Sequence, residues 1–219
     1  MGTAIVTGAS SGLGKEIYHY LLRDSESPSL GFDSVLGLSR RGPDVCIDLS
    51  SLRRESDLFS LFPPSRILVP AIDLLVNCAG IMPFHETKEI FDVNFWSAYY
   101  LSFLLEKHFS EGACIINISS VSGIMGEPDL PIYAASKAAL ISLTKSLARR
   151  FAPHIRVNCI SPGFLKTNLV PGETPQELVH NIPLGYEELP ENLCYLVKAV
   201  YLTRYMTGAN IVVDGGLFL

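Results

Sequence analysis

Tyr133 and Lys137 stand four residues apart, and Ser120 precedes the tyrosine by thirteen residues. On a helix, positions i and i+4 share one face. A phenol ionises at about pH 10 and is a poor acid–base group near neutrality. An ammonium beside it favours the phenolate and lowers that value. Such a tyrosine can donate a proton to a carbonyl oxygen or take one from an alcohol. A serine hydroxyl aimed at the same oxygen would steady its developing charge. Alone, Tyr-x-x-x-Lys reads as a packed tyrosine and a solvated lysine. Its company changes that reading. Ser120 closes the apolar run that begins at Ile115, and a glycine-rich turn opens the chain.

That turn is Gly8-Ala9-Ser10-Ser11-Gly12-Leu13-Gly14, between a strand at Thr3–Thr7 and a helix. Glycines let backbone turn sharply and come close to a pyrophosphate. The helix start then offers free N–H groups to the phosphates. Ser10 and Ser11 add hydroxyl donors, and Leu13 is expected among the cofactor-binding residues of this turn. The spacing TGxxxGxG is more specific than GxGxxG. A dinucleotide would supply the hydride from its nicotinamide. The second strand ends Leu38-Ser39-Arg40-Arg41, with no acid to hold the ribose 2′-hydroxyl of NAD. A guanidinium suits the 2′-phosphate of NADP. NADP(H) is therefore expected over NAD(H), with Arg40 as the contact.

These residues need elements to position them. Strands are expected at Thr3–Thr7, Ser34–Leu38, Val45–Ile47, Leu74–Asn77, Cys114–Ile118, Arg156–Ile160 and Asn210–Val213. Helices are expected near 12–23, 52–61, 87–109, 132–151, 174–180 and 190–203. Continuous apolar strands suit a sheet covered on both faces. The alternation predicts an α/β, single-domain Rossmann fold over 1–219, a doubly wound parallel sheet of about seven strands. At about 100° per residue, Tyr133, Lys137, Leu140, Leu147 and Phe151 form one stripe facing the sheet. The Pro- and Gly-rich stretch 161–190 reads as a binding loop or lid.

Composition excludes other classes. Lys plus Arg is 17 against 22 Asp plus Glu, a charge of −5, which speaks against a nucleic-acid binder. The longest uncharged stretch, Gly112–Gly126, holds polar residues and is too short to span a membrane. With the first strand read at Thr3–Thr7, no secretion signal is expected. Five cysteines without a CxxC pair and scattered histidines suggest a reducing cytoplasm, no disulfide and no metal.

The sequence resembles the short-chain dehydrogenase/reductase family along essentially its whole length, with 3-oxoacyl-[acyl-carrier-protein] reductase-like members nearest. The matching pieces, in order, are Thr7-Gly8-xxx-Gly12-x-Gly14, Asp48-Leu49, Asn77-Cys78-Ala79-Gly80, Asn94, Ser120, Tyr133-xxx-Lys137 and Pro162-Gly163-xxx-Thr167. The resemblance implies Tyr133 as acid–base residue and Ser120 as the serine that polarises substrate. It implies Lys137 as the lysine that holds the nicotinamide ribose and lowers the tyrosine pKa. Asn94 matches the asparagine whose main chain holds a relay water. For the cofactor it implies Asp48 and Leu49 beside the adenine, and Asn77, Ala79 and Gly80 along the adenosine ribose. Pro162, Gly163, Phe164 and Thr167 fall near the nicotinamide. Read singly, Asn94 is a polar residue in an apolar helix and Asp48 a helix cap.

Departures matter as well. Cys78 stands where the family has a second Asn, and only 17 residues separate Asn77 from Asn94. The wall of the site is expected to be trimmed there and after Thr167. Ser122, Ile124, Met125, Ile132 and Phe164 are candidate substrate-wall residues, mostly apolar, which suits a ketone or 3-oxoacyl group. Glu111 and His154 stand where carrier-protein-acting relatives tend to be basic. The expected function is NADP(H)-dependent interconversion of a carbonyl and a secondary alcohol. The alternatives are an NAD-dependent sugar, polyol or steroid-type alcohol dehydrogenase, and a non-catalytic NADP(H)-binding sensor. Small residues at Ala135, Ala138, Ala139, Ser142 and Ser146 allow close helix approach. A homo-oligomer, tetramer or dimer, is expected.

Overall fold

The computed structural model describes residues 2–26, 30–41, 43–54, 57, 71–82, 86–167, 169, 172 and 174–219. Seven strands form one sheet: β1 (Gly2–Thr7), β2 (Phe32–Ser39), β3 (Val45–Cys46), β4 (Ile72–Asn77), β5 (Phe109–Ile118), β6 (Ile155–Pro162) and β7 (Asn210–Val213). Their order is β3-β2-β1-β4-β5-β6-β7, and every pairing is parallel. The order reverses between β1 and β4. Parallel sheets of this kind bind ligands in the crevice at such a reversal, beyond the carboxyl ends of the strands.

The helices are α1 (Gly12–Glu26), α2 (Thr87–Phe91), α3 (Ser97–Leu104), α4 (Ser122–Met125), α5 (Pro131–Phe151), α6 (Gln176–His180) and α7 (Pro190–Leu202). A π-helical turn, Asp92–Trp96, joins α2 to α3. Strand residues alternate between two cores, as a pleated sheet requires. Ala4, Val6, Leu74, Val76, Cys114 and Ile116 pack under α1 and α7. Ile5, Leu75, Ile115 and Val157 pack under α3 and α5. Both faces are dry, which accounts for the 48% hydrophobic composition.

The expected helix over 87–109 is corrected. It passes through the π turn and stops at Leu104, and a short 3-10 turn, Glu106–His108, then feeds β5. Leu105, at φ −92° and ψ 0°, leaves the helical region. Strand β5 thus starts at Phe109, earlier than its apolar run. The helix expected at 52–61 falls largely outside the described residues, and Leu52 itself is extended. Among the described residues no helix is long and apolar enough to cross a membrane.

Candidate active site

The glycine turn follows β1 directly. Gly8 has φ +73°, and a Cβ there would lie 3.0 Å from the Cα of Ala79. A Cβ on Gly14 would lie 2.5 Å from the Gly8 carbonyl oxygen. These glycines let α1 start against the strand end with bare backbone facing the crevice. Thr7 holds the opposite wall. Its hydroxyl accepts hydrogen bonds from the Cys78 and Ala79 N–H groups, both at 2.9 Å. One side chain therefore fastens the end of β1 to the turn after β4. Thr167 closes the far side, 3.5 Å from where a Gly12 Cβ would be. A narrow backbone cradle at a helix start fits a dinucleotide pyrophosphate. Asp48 also acts as a cap: its carboxylate accepts the Ser50 N–H at 3.0 Å. Beside it, Leu49 is buried.

The two arginines diverge. Arg40 is exposed and reaches Glu89 of α2 at 3.8 Å. Arg41 instead lines an open depression of about 220 Å³ with Ala9, Ser10, Lys15, Tyr18, His19 and Pro43. Ser10 belongs to the glycine turn. Lys15 and His19 share one face of α1, and sequence reading singled out neither of them.

The reacting groups come together across β5 and α5. Pro131 starts α5, a position that suits its missing N–H. The expected stripe, Tyr133, Lys137, Leu140, Leu147 and Phe151, is buried along its whole length. Tyr133 is hydrogen-bonded to the Ser120 hydroxyl. The Ser120 oxygen also accepts the Ser122 N–H at 3.1 Å. Lys137 donates to the Ile118 carbonyl at 2.9 Å, with its nitrogen 5.8 Å from the Tyr133 ring centre. Gly80 keeps room here: a Cβ on it would lie 3.4 Å from the lysine nitrogen.

Asn94 sits in the middle of the π turn, with 1% of its surface exposed. Its side chain accepts the Ile81 N–H at 2.8 Å and donates to the Ile81 carbonyl at 3.0 Å. It also donates to Ser136 at 3.1 Å, and Ser136 donates to the Tyr133 carbonyl at 2.7 Å. The asparagine therefore ties the turn after β4 to the start of α5. Both of its amide N–H donors are engaged. A π-helical turn loosens the regular ladder and often marks a functional site.

Burial dominates the electrostatics. It pushes the Tyr133 phenol up to about 12, against the pull of the Ser120 hydrogen bond. The Cys78 thiol adds to the rise, and burial pushes that thiol itself to about 12. Burial also lowers Lys137. The expected pull of Lys137 on the phenol is thus not what sets Tyr133 in this structure. At neutral pH the phenol is protonated, the form that can give a proton.

Around this centre, Ile124 and Ile132 are half-buried and Met125 is exposed. Phe164 and Lys166 pair with Glu188 through main-chain bonds of 3.1 and 3.0 Å, so the segment after β6 folds back on itself. Pro162 ends β6, and Gly163 allows it to pass Asp214, whose Cα would lie 2.8 Å from an added Cβ. Ser119, Ser136 and the Thr7 hydroxyl are the site residues that sequence reading passed over. Their signals were slight: a serine beside Ser120, one three positions after Tyr133, and the threonine that opens the glycine motif.

A two-faced parallel sheet, a glycine turn at its reversal point and a Ser–Tyr–Lys group on the next strand and helix define a nucleotide-dependent oxidoreductase architecture. A family model described as Enoyl-(Acyl carrier protein) reductase matches residues 52–218. The 3-oxoacyl-[acyl-carrier-protein] reductase of Chlamydia pneumoniae is 32% identical over 239 residues, 97% of this chain and 95% of that protein. A short-chain type dehydrogenase/reductase of Sinorhizobium fredii is 31% identical over 234 residues, 97% of this chain. The chain spans 43% of that longer protein's length. Among solved structures, 4-hydroxyisoleucine dehydrogenase complexed with NADH superposes with a TM-score of 0.83 at 31% identity, covering 99% of this chain and 98% of that one. The chain belongs to the short-chain dehydrogenase/reductase family of oxidoreductases.

Proposed function

We propose that this chain is an NADP(H)-dependent oxidoreductase that interconverts a carbonyl and a secondary alcohol on a ketone or 3-oxoacyl-like substrate. The observation that carries this reading is the buried, hydrogen-bonded Ser120–Tyr133 pair beside Lys137. When bound, the nicotinamide supplies or accepts the hydride. Tyr133 holds the proton for the carbonyl oxygen. Ser120 donates a hydrogen bond to the same oxygen. Lys137, anchored on the Ile118 carbonyl, lies close enough to Tyr133 to hold a ribose and orient the phenol. Asn94 fixes the start of α5 and offers its main chain to a relay water.

The dinucleotide would lie along Gly8, Ser10, Ser11, Gly12, Leu13 and Gly14, then past Asp48, Leu49, Asn77, Ala79 and Gly80. Its nicotinamide end would meet Pro162, Gly163, Phe164 and Thr167. The NADP(H) preference draws on the cationic depression beside Ser10. A 2′-phosphate there would face Lys15, His19 and Arg41, whereas Arg40, the contact expected from the sequence, reaches Glu89 instead. The rival, an NAD-dependent dehydrogenase, draws on the NADH-bound neighbour. The chain is further proposed to act in the cytoplasm as one domain. The exposed small-residue face of α5 would pair copies into a dimer or tetramer.

Two measurements test this. Tyr133→Phe should lower turnover by roughly 10²–10⁴-fold while nucleotide binding persists; normal turnover would refute the mechanism. Binding of NADPH and NADH to wild type, Arg40→Ala and Arg41→Ala tests the cofactor. NADPH affinity should fall about tenfold for Arg41→Ala, the scale of one charge-assisted contact, with NADH unaffected. Equal affinities throughout would favour the NAD reading.

A further inference from the structure

Strand β5 meets helix α5 through a run of directional bonds. Asn117 donates to the Thr144 hydroxyl at 2.8 Å. The carbonyl of the next residue, Ile118, accepts from Lys137 at 2.9 Å. The next side chain, Ser119, donates to the Lys137 carbonyl at 2.8 Å. The next, Ser120, is bonded to Tyr133. Four consecutive residues, the last two of β5 and the two that follow it, thus each hold α5. As the chain advances from 117 to 120, its partners step back along the helix from 144 to 133. A second strand joins at the far end, where Asn77 of β4 donates to Asn117 at 2.8 Å. Asn117 and Thr144 have 0% and 1% of their surface exposed.

Packing does not require these groups. Leu140, Leu147 and Phe151 on the same helix are almost fully buried and already supply apolar contact. Apolar contact is non-directional and tolerates sliding. Hydrogen bonds do not: they weaken steeply outside a narrow range of distance and angle. Buried amides and hydroxyls are also costly unless fully paired. Their concentration on the four residues that end at Ser120 has one evident geometric consequence. It fixes the height and rotation of α5 against β5, and so the Tyr133–Ser120 contact.

We propose that Asn117 and Thr144 are positioning residues for Tyr133, acting through the seat of α5 on β5 although neither touches the reacting atoms. This rests on the reading of Tyr133 and Ser120 as the proton-transfer pair. Thr144→Val removes the acceptor at constant volume. The direct readout is the ring Cζ resonance of Tyr133 in protein carrying ¹³C-labelled tyrosine, assigned with Tyr133→Phe. It should move toward its position in Ser120→Ala, while Thr144→Ser stays at the wild-type position. In turnover over a carbonyl panel with NADPH, Thr144→Val should lose about tenfold in kcat with KM for NADPH unchanged, the scale of a small misplacement. A Tyr133 resonance at the wild-type position in Thr144→Val overturns the proposal, even if thermal stability falls. If Thr144→Val does not fold, Thr144→Cys gives the same two readouts. Failure of the acid–base reading shows separately, as full turnover by Tyr133→Phe.

Discussion

The two faces of the sheet are fastened in opposite ways. Beneath α1 and α7 the contacts near the strand ends are apolar: Ile17, Leu21, Leu193 and Val197 against Val6, Val76 and Ile116. The polar fastening of that face lies at the other end of the sheet. There Arg156, at the start of β6, donates to the carbonyls of Val200, Tyr201, Thr203 and Met206. It closes the C-terminal turn of α7, whose last carbonyls have no helical partner. Beneath α5 the order is inverted. Leu147 and Phe151 pack the lower half, and polar bonds crowd the upper half, where Ser120 and Tyr133 sit. One face uses polar groups to finish a helix, the other to place a hydroxyl. Stability and geometry are thus assigned to different sides of the same sheet.

The largest expected effect comes from the burial that accompanies this placement. Tyr133 is pushed up to about 12, so at neutral pH the phenol is protonated and reduction finds its acid ready. Alcohol oxidation needs the phenolate, whose fraction below that pKa rises tenfold per pH unit. Oxidation should therefore climb by about tenfold per unit across the alkaline range, while reduction stays level. Measuring both directions on one substrate pair between neutral and mildly alkaline pH checks this. An oxidation rate indifferent to pH would break the link between the buried face and proton transfer.

The opposite face should answer in stability alone. Arg156→Ala takes the guanidinium away from four carbonyls, of which Thr203 keeps the Met206 N–H and Met206 keeps the Asn158 amide. The loss should cost about 3 kcal/mol, since bonds to a charged group are each worth roughly 1.5–3 kcal/mol and the remaining donors and water recover part of it. For a chain of this size that is a fall in Tm of roughly 6–12 °C. At temperatures where the variant is folded, kcat should match wild type. A loss of kcat without a loss of Tm would mean that the α7 face also places the site.

Much of this division could be read from the chain. The strands were visible as apolar runs, and β7 falls at Asn210–Val213 as expected. The stripe from Tyr133 to Phe151 follows from helical spacing, and Ser120, Tyr133, Lys137 and Asn94 converge as their motif order implies. The end of α3 was not legible, because apolar residues continue past Leu104 and the π turn at Asn94 leaves no mark on a 3.6-residue period. Nor was the role of Thr144, since a helical threonine reads as solvated until the register of β5 is known. Arg40 and Arg41 show the same limit. Adjacent in sequence, they part because the backbone sends one toward Glu89 and the other toward Lys15. Residue type reveals which chemistry is present, whereas register and loop path decide which residue performs it.

The smallest effect is the sharpest discriminator. Ile17→Val removes one methylene from the α1 face and should cost about 0.5–1.5 kcal/mol. Ser119→Ala removes one buried hydroxyl bond from the α5 face, worth about 0.5–1.5 kcal/mol net. By stability the two are matched, and thermal melts should scarcely separate them. Turnover should. Ile17 lies on the face that carries no directional contact to Tyr133, so its kcat should stay at wild type. Ser119 holds the Lys137 carbonyl one turn from Tyr133, so its loss should lower kcat by about three- to tenfold at unchanged KM for the nucleotide. Should both variants lose stability alike and keep full turnover, the α5 face would be a second apolar core with hydroxyls in it, and the contrast between the faces would fall.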